Sequence, residues 1–241
     1  MKPRIGVFEF TGCGGDQLQI INLEEELLDL LGQIEIVSWR EAMKESQGDY
    51  DIAFVEGSIA RKSDEERLKT IRENARILVA LGSCATIGGI NRLKDFHDPK
   101  FVTRMVYDRQ AHCYETCPAG PLSAVVPVDA SIHGCPVHKD EFLRVTMALL
   151  QGLKPFVPDY PVCADCKAAG NVCVLLKGGF CLGPATRAGC SACCVTEGAY
   201  CWGCRGLVGD ANVDALYELL GRTGLSAGEV RRRIRLYNGN Q

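Results

Sequence analysis

The residues best equipped for chemistry in this chain are its cysteines, 14 among 241 residues. Nine of them lie between Cys163 and Cys204, spaced Cys163-x2-Cys166-x6-Cys173-x7-Cys181-x8-Cys190-x3-Cys194-x6-Cys201-x2-Cys204, with Cys193 inside the x3 gap. The array opens as C-x2-C-x6-C and closes as its mirror image, C-x6-C-x2-C. With Cys193 set aside as a small apolar residue, eight thiolates remain, two sets of four. Four thiolates is the ligand requirement of one [4Fe–4S] cluster, and two-cluster domains often exchange a ligand between motifs. Two structural zinc sites would also draw four cysteines each from C-x2-C pairs. Such modules usually separate their pairs by about a dozen residues or more and often include histidine. This segment has no histidine, and its cysteines are almost evenly spread. Reduced free thiols are a third reading. Spacing alone leaves open which thiolates share a cluster.

The other five cysteines are scattered: Cys13, Cys84, Cys113, Cys117 and Cys135. Three follow glycine or serine, as Gly12-Cys13, Ser83-Cys84 and Gly134-Cys135-Pro136. One such cysteine alone is ordinarily a buried small side chain. Three of them at glycine-rich element ends point to a third cluster, because glycine lets the backbone approach closely and donate N–H to sulfur. A phosphate loop is a poor alternative, since Gly12-Cys13-Gly14-Gly15 lacks the Lys-Ser/Thr ending.

These cysteines need a scaffold, and residues 1–155 read as an α/β domain with a doubly wound parallel sheet. Short apolar runs at 4–10, 34–37, 51–55 and 76–81 are strand candidates, and 125–128 is a possible last strand. Apolar positions at helical spacing predict helices over 17–31 and 139–150, and 65–74 is charged and helical in character. Residues 91–124 read as irregular. In such a sheet ligands gather at the carboxyl ends of strands, where Cys13 and Cys84 fall. Lys154 to Pro161 holds three prolines and reads as a linker, so a second, Cys-rich unit spans 156–241. Its cysteine segment is too small to bury much apolar area and needs another staple. Helices are predicted over 214–220 and 229–236, the latter opened by a capping box, Ser226-Ala-Gly-Glu229. Arg231 to Arg233 reads as a solvated helix face.

Composition excludes other classes. The formal net charge is −3, without the basic excess of a nucleic-acid binder. No apolar run approaches the roughly 18 residues of a membrane span. The first residues lack a secretory signal, and a cysteine-rich chain without one reads as cytoplasmic and metal-binding.

At this point the motifs resemble a family. Thr11-Gly12-Cys13-Gly14-Gly15-Asp16-Gln17, Gly82-Ser83-Cys84-Ala85-Thr86-Ile87-Gly88-Gly89, Val128-Asp129-Ala130-Ser131-Ile132-His133-Gly134-Cys135-Pro136 and Cys201-Trp202-Gly203-Cys204-Arg205-Gly206 are similar to segments of the small subunit of cytosolic [NiFe] hydrogenases. The resemblance spans roughly residues 4–238 and takes in bidirectional, sulfhydrogenase-like and coenzyme-F420-linked types. It implies a flavodoxin-like domain holding a proximal cluster beside a separate large subunit that carries the Ni–Fe centre. It also implies a tail with two further clusters, for three [4Fe–4S] clusters in all. The chain would relay electrons between H2 chemistry and a diaphorase-type partner linked to NAD(P), ferredoxin or F420. It would have no catalytic centre of its own and would not turn over hydrogen alone.

One departure matters. The family's second cysteine in the first motif is Asp16 here, so the proximal set becomes Cys13, Asp16, Cys84 and Cys135. Asp16 reads as a carboxylate ligand, with a solvated loop residue or helix N-cap before Gln17 as the alternative. Cys113 and Cys117, with His112 nearby, read as free thiols, with replacement of the missing ligand as the sharper idea. Glu9 and Glu56 read as strand-end carboxylates in solvent, with a proton-path or hydrogen-bonding role as the alternative. His97, His133 and His138 read as loop or surface residues. The rival families are the 20-kDa-type subunit of complex I, which shares G-x-C-x-x-x-G-G and G-C-P but lacks the tail, and a zinc-stapled scaffold protein.

Overall fold

The computed structural model describes residues 2–43 and 48–239. It divides into two compact units, Met1–Pro155 and Phe156–Gln241.

The first unit is built on five parallel strands, β1 Arg4–Glu9, β2 Glu35–Trp39, β3 Tyr50–Glu56, β4 Ala75–Leu81 and β5 Ala130–Ile132, in the order β2-β1-β3-β4-β5. That is the flavodoxin-like order, with its switch point beside β1. The strands read as continuous apolar runs because both faces of the sheet are covered. Alternation divides them between two cores. Ile52, Phe54, Val79 and Leu81 enter one with Ile5, Val7 and Phe142. Ala53, Val55, Leu78 and Ala80 enter the other with Phe10, Leu68 and Ile71. The helices of this unit are α1 Gly15–Ile21, α2 Glu25–Gln33, α3 Lys62–Asn74, α4 Gly82–Ile87, α5 Pro99–Tyr107 and α6 Lys139–Leu150.

Three expectations change. The single helix over 17–31 is two, broken at Glu24, whose φ is 55°. Leu23 is buried at the break while Leu28 is 68% exposed, so the apolar spacing does not describe one continuous face. The last strand is Ala130–Ile132 rather than 125–128, because Val126 turns into the second core from the loop before it. Within 91–124, Asp98 caps α5 by accepting from the Phe101 N–H at 2.9 Å, with Pro99 at the first helical position. No residue of α5 is buried.

In the second unit Phe180, Leu182 and Ala185 pack with Leu216, Leu220, Val230 and Ile234 from α9 Val213–Gly221 and α10 Ala227–Asn238. The Arg233 guanidinium lies over the Phe180 ring at 4.8 Å. The predicted capping box is present: Ser226 and Glu229 exchange side-chain-to-backbone bonds at the start of α10. The cysteine segment itself holds two short helices, α7 Val162–Ala168 and α8 Cys193–Thr196.

Candidate metal centres

The first-unit candidates gather at one pole, the carboxyl end of the sheet. Cys13 follows β1, Cys84 sits in the first turn of α4 directly after β4, and Cys135 lies just beyond β5. Thus three loops from the strand ends deliver thiols distant in sequence. Cys13 is exposed, and Cys84 and Cys135 are half-buried, so the pocket opens at the surface.

Asp16 is neither a solvated loop residue nor an N-cap. The N-cap of α1 is Gly14, and Asp16 is buried within the first turn. One carboxylate oxygen accepts the Val137 N–H at 2.8 Å, two residues beyond Cys135. The other occupies the space a side chain at Gly82 would fill, 1.7 Å from where that Cβ would stand. Asp16 therefore touches the backbones of the two loops that carry Cys84 and Cys135. Burial, then the neighbouring Glu56 charge, push its carboxyl up from 3.8 to about 7, against the Val137 N–H, which favours the anion.

Glu56 is not in solvent either. It is 2% exposed, and its carboxylate accepts from the Gln17 N–H at 3.1 Å and from the backbones of Asp16 and Gly14. It takes up unpaired N–H groups at the start of α1 from the neighbouring strand end. Glu9 is partly exposed and lies 3.8 Å from Arg40. His133 is buried rather than on the surface, whereas His97 is exposed.

The donor set of the pocket suits a thiophilic metal by its chemistry. Burial pushes the Cys84 thiol up to about 12, reinforced in turn by the charges of Cys135, Asp16, Cys13 and Glu56. Acidic groups that raise one another's proton affinity in a half-buried pocket cannot all ionise alone, and a metal cation among them reverses that balance. Glycine leaves room for the sulfurs: a Cβ at Gly15 would stand 3.2 Å from Cys13 Sγ, and one at Gly89 3.0 Å from Cys84 Sγ. Asn91 Nδ2 donates to Cys84 Sγ at 3.6 Å and to the Thr11 carbonyl at 2.7 Å. The sequence marks Asn91 only by its place seven residues after Cys84. Among the described residues, no group of three or more His, Cys, Asp or Glu closes tightly enough to hold one metal ion. Cys113 and Cys117 sit elsewhere, on the segment after α5. Exposed Cys113 pairs with His112 at 3.4 Å, and half-buried Cys117 donates its N–H to the Ala60 carbonyl.

The second unit contains two neighbouring thiol groups. Burial raises the Cys163 thiol to about 11, with further contributions from Cys181, Cys166 and Cys173. A Cβ at Gly183 would stand 3.4 Å from Cys181 Sγ and 3.5 Å from Cys163 Sγ, in contact with both sulfurs. Cys194 feels Cys204, Cys190 and Cys201. Cys201 is pushed up to about 12, chiefly by burial, and its N–H donates to Cys181 Sγ at 3.4 Å, where the two groups meet. Arg205 is 1% exposed, its Nε donating to the Ala188 carbonyl at 2.7 Å, and its charge favours the Cys190 thiolate. Cys193 is exposed rather than a buried apolar residue.

Comparison with known proteins follows this division. Residues 13–149 match the family model described as NADH ubiquinone oxidoreductase, 20 Kd subunit. Sulfhydrogenase 2 subunit delta of Pyrococcus furiosus is 38% identical, covering 97% of this chain and 98% of its own. A subunit of the vhu F420-non-reducing hydrogenase of Methanocaldococcus jannaschii is 30% identical, over 99% of this chain and 94% of its own. Among solved structures, a chain of an NAD+-reducing [NiFe]-hydrogenase in the H2-reduced state is similar at a TM-score of 0.60 and 26% identity. That match covers 66% of this chain and 96% of the other. No helix among the described residues is long and apolar enough to cross a membrane.

Proposed function

The chain belongs to the family of [NiFe] hydrogenase small subunits, whose first unit matches the 20 Kd subunit model, and from that premise we propose that it is the electron-transfer subunit of a multisubunit [NiFe] hydrogenase. The observation that carries the proposal is the convergence of Cys13, Cys84, Cys135 and buried Asp16 at the carboxyl pole of the sheet. The match to the 20 Kd subunit model ends at residue 149, but the near-full-length likeness to hydrogenase subunits extends through the cysteine tail.

Three [4Fe–4S] clusters are the cofactors in this reading. Cys13, Asp16, Cys84 and Cys135 hold the proximal one. Mutual proximity supports Cys163, Cys166, Cys173 and Cys181 for a second and Cys190, Cys194, Cys201 and Cys204 for a third. Each cluster, when bound, supplies one-electron transfer at a potential set by its ligands, net charge, hydrogen bonds and exposure. The chain's own residues adjust those quantities. Asn91 donates to Cys84, the Cys201 N–H donates to Cys181, and Arg205 adds positive charge beside Cys190. An oxygen donor at Asp16 is harder than thiolate and holds iron differently.

The Ni–Fe chemistry belongs to a separate large subunit, docked where the proximal pocket opens. Exposed Phe101, Met105 and Val106 lie on α5, which shares a cavity with Thr11 and Asn91 beside the cysteine loops. A flavin- or iron–sulfur-containing subunit linked to NAD(P), ferredoxin or F420 takes the electrons at the tail, and the complex works in the cytoplasm. The test is purification of the native complex with iron, nickel and flavin counted per chain, and the EPR of Asp16→Ala compared with Cys113→Ala and Cys117→Ala. Loss of the proximal signal in Asp16→Ala alone supports the ligand set; loss only in a cysteine variant reassigns the fourth ligand.

A further inference from the structure

The cysteine loops occupy only part of the carboxyl end of the sheet. Past the ends of β1 and β2 lies a cavity of about 390 Å³ that the cluster chemistry does not use. Open α/β sheets take their ligands in crevices at this end. The volume is at the small end of ligand pockets, enough for one mononucleotide and too little to enclose a dinucleotide. Trp39 and Ile71 give the cavity apolar wall, and Gln17 lines it with an amide. Gln17 is 2% exposed, and its Oε1 accepts the Trp39 Nε1–H at 2.8 Å. An indole N–H only donates, so that bond fixes which end of the amide is oxygen. The Gln17 side chain helps to favour the Glu56 anion, but its Nε2 reaches no acceptor at hydrogen-bond distance. Buried donors are nearly always paired, and this one stands on a cavity wall without a partner.

Two guanidinium groups line the same cavity. Arg67 is held in place: its Nη1 donates to the Glu9 carbonyl at 2.8 Å, and its guanidinium lies over the Phe10 ring at 4.9 Å. Arg40 has an 81% exposed side chain and meets the Glu9 carboxylate only at 3.8 Å, a loose surface pair that a stronger anion displaces. Arginine forks suit phosphate oxygens, and a phosphate monoester carries close to two negative charges at neutral pH. The Glu9 carboxylate repels a bare anion, but it accepts hydrogen bonds from hydroxyl and amine groups. A ligand that matches all four side chains therefore joins a phosphate to a body with both donors and acceptors.

We propose that this cavity is a mononucleotide-binding site. Arg40 and Arg67 hold the phosphate, Glu9 accepts from a ribose hydroxyl or an exocyclic amine, and Gln17 Nε2 donates to an acceptor on the base. Gln17 directly follows Asp16, so the ligand sits one residue from the proximal pocket. Binding needs no cluster, and it stands or falls apart from the electron-transfer role.

The experiment photolabels the intact complex with radiolabelled azido derivatives of AMP, GMP and UMP and maps the labelled peptides of this chain. Mapping separates the cavity from nucleotide sites on other subunits. Label from at least one probe is expected on the peptides that carry Trp39 or Ile71, and an excess of the parent nucleotide should remove it. In Arg40→Gln the labelling should fall about tenfold, the loss of one charge-assisted hydrogen bond, with the melting temperature unchanged because that side chain is exposed. No label on those peptides from any probe overturns the proposal, as does undiminished labelling in Arg40→Gln. Inorganic phosphate that competes as well as the nucleotide also overturns it, because the cavity then selects an anion and not a mononucleotide.

Discussion

Gly82→Ala adds one methyl group and should undo the proximal site while sparing the tail. Gly82 has φ of 82°, where a Cβ costs about 1–2 kcal/mol. The new Cβ would stand 1.7 Å from Asp16 Oδ2, so the carboxylate has to leave its place between the two loops. Its departure breaks the 2.8 Å bond from the Val137 N–H and strands a buried donor, at about 1–3 kcal/mol. The sum is about 2–5 kcal/mol, a large part of a typical 5–15 kcal/mol fold stability. For a domain of this size that lowers the melting temperature by about 4–20 °C. The assay is thermal melting of the purified complex with cluster EPR, which should show the proximal signal lost and the tail signals kept. Gly14→Ala is the control: its φ is 74°, but nothing lies within 4 Å of the added Cβ, so only the backbone cost applies. A Gly82→Ala variant with wild-type melting and an intact proximal signal refutes the reasoning, as would Gly14→Ala causing the same loss.

Other predictions follow from the same geometry. In the metal-free pocket Asp16 keeps its proton up to about pH 7 instead of 3.8, so the folded state binds the proton more tightly than the unfolded one. Its contribution to metal-free stability is therefore complete below 3.8 and lost as pH rises through about 7; because ligation needs the anion, proximal-site reconstitution, followed by iron uptake, should be more complete at pH 8 than at pH 6. Arg205→Met removes a buried positive charge beside Cys190 and should lower the midpoint potential of that cluster in an EPR redox titration; an unchanged potential would separate Arg205 from the cluster. The double change Phe101→Ser and Met105→Ser should cut co-purification with the large subunit at least tenfold while leaving the melting temperature unchanged, because α5 buries none of its residues.

Much of this was legible in the residues, for identifiable reasons. The first four strands are buried on both faces and appear as unbroken apolar runs, and the tail helix announces itself through Ser226 and Glu229. The [NiFe] hydrogenase small-subunit family and the flavodoxin-like class were accessible because the cysteine motifs are specific and fall at strand ends. What the spacing could not convey was tertiary. The turn at Glu24 interrupts an apolar pattern that continues across it. β5 is only three residues long, too short for a period-2 pattern, and the valines before it point into a core from a loop. Asp98-Pro99 was a readable helix start, but α5 lacks a buried face to give it away. The burial of Asp16 and Glu56 depends on segments far apart in sequence closing over α1, which no local pattern records.

The central claim is that the chain carries three clusters, with Asp16 as the twelfth ligand. The most direct measurement is iron per chain in the anaerobically purified complex, together with EPR spin counting after reduction. The wild-type complex should give about twelve irons and three interacting clusters per chain, and the Asp16→Ala variant one cluster fewer in signal. About eight irons in the wild type, or a colourless preparation loaded with zinc, would contradict it.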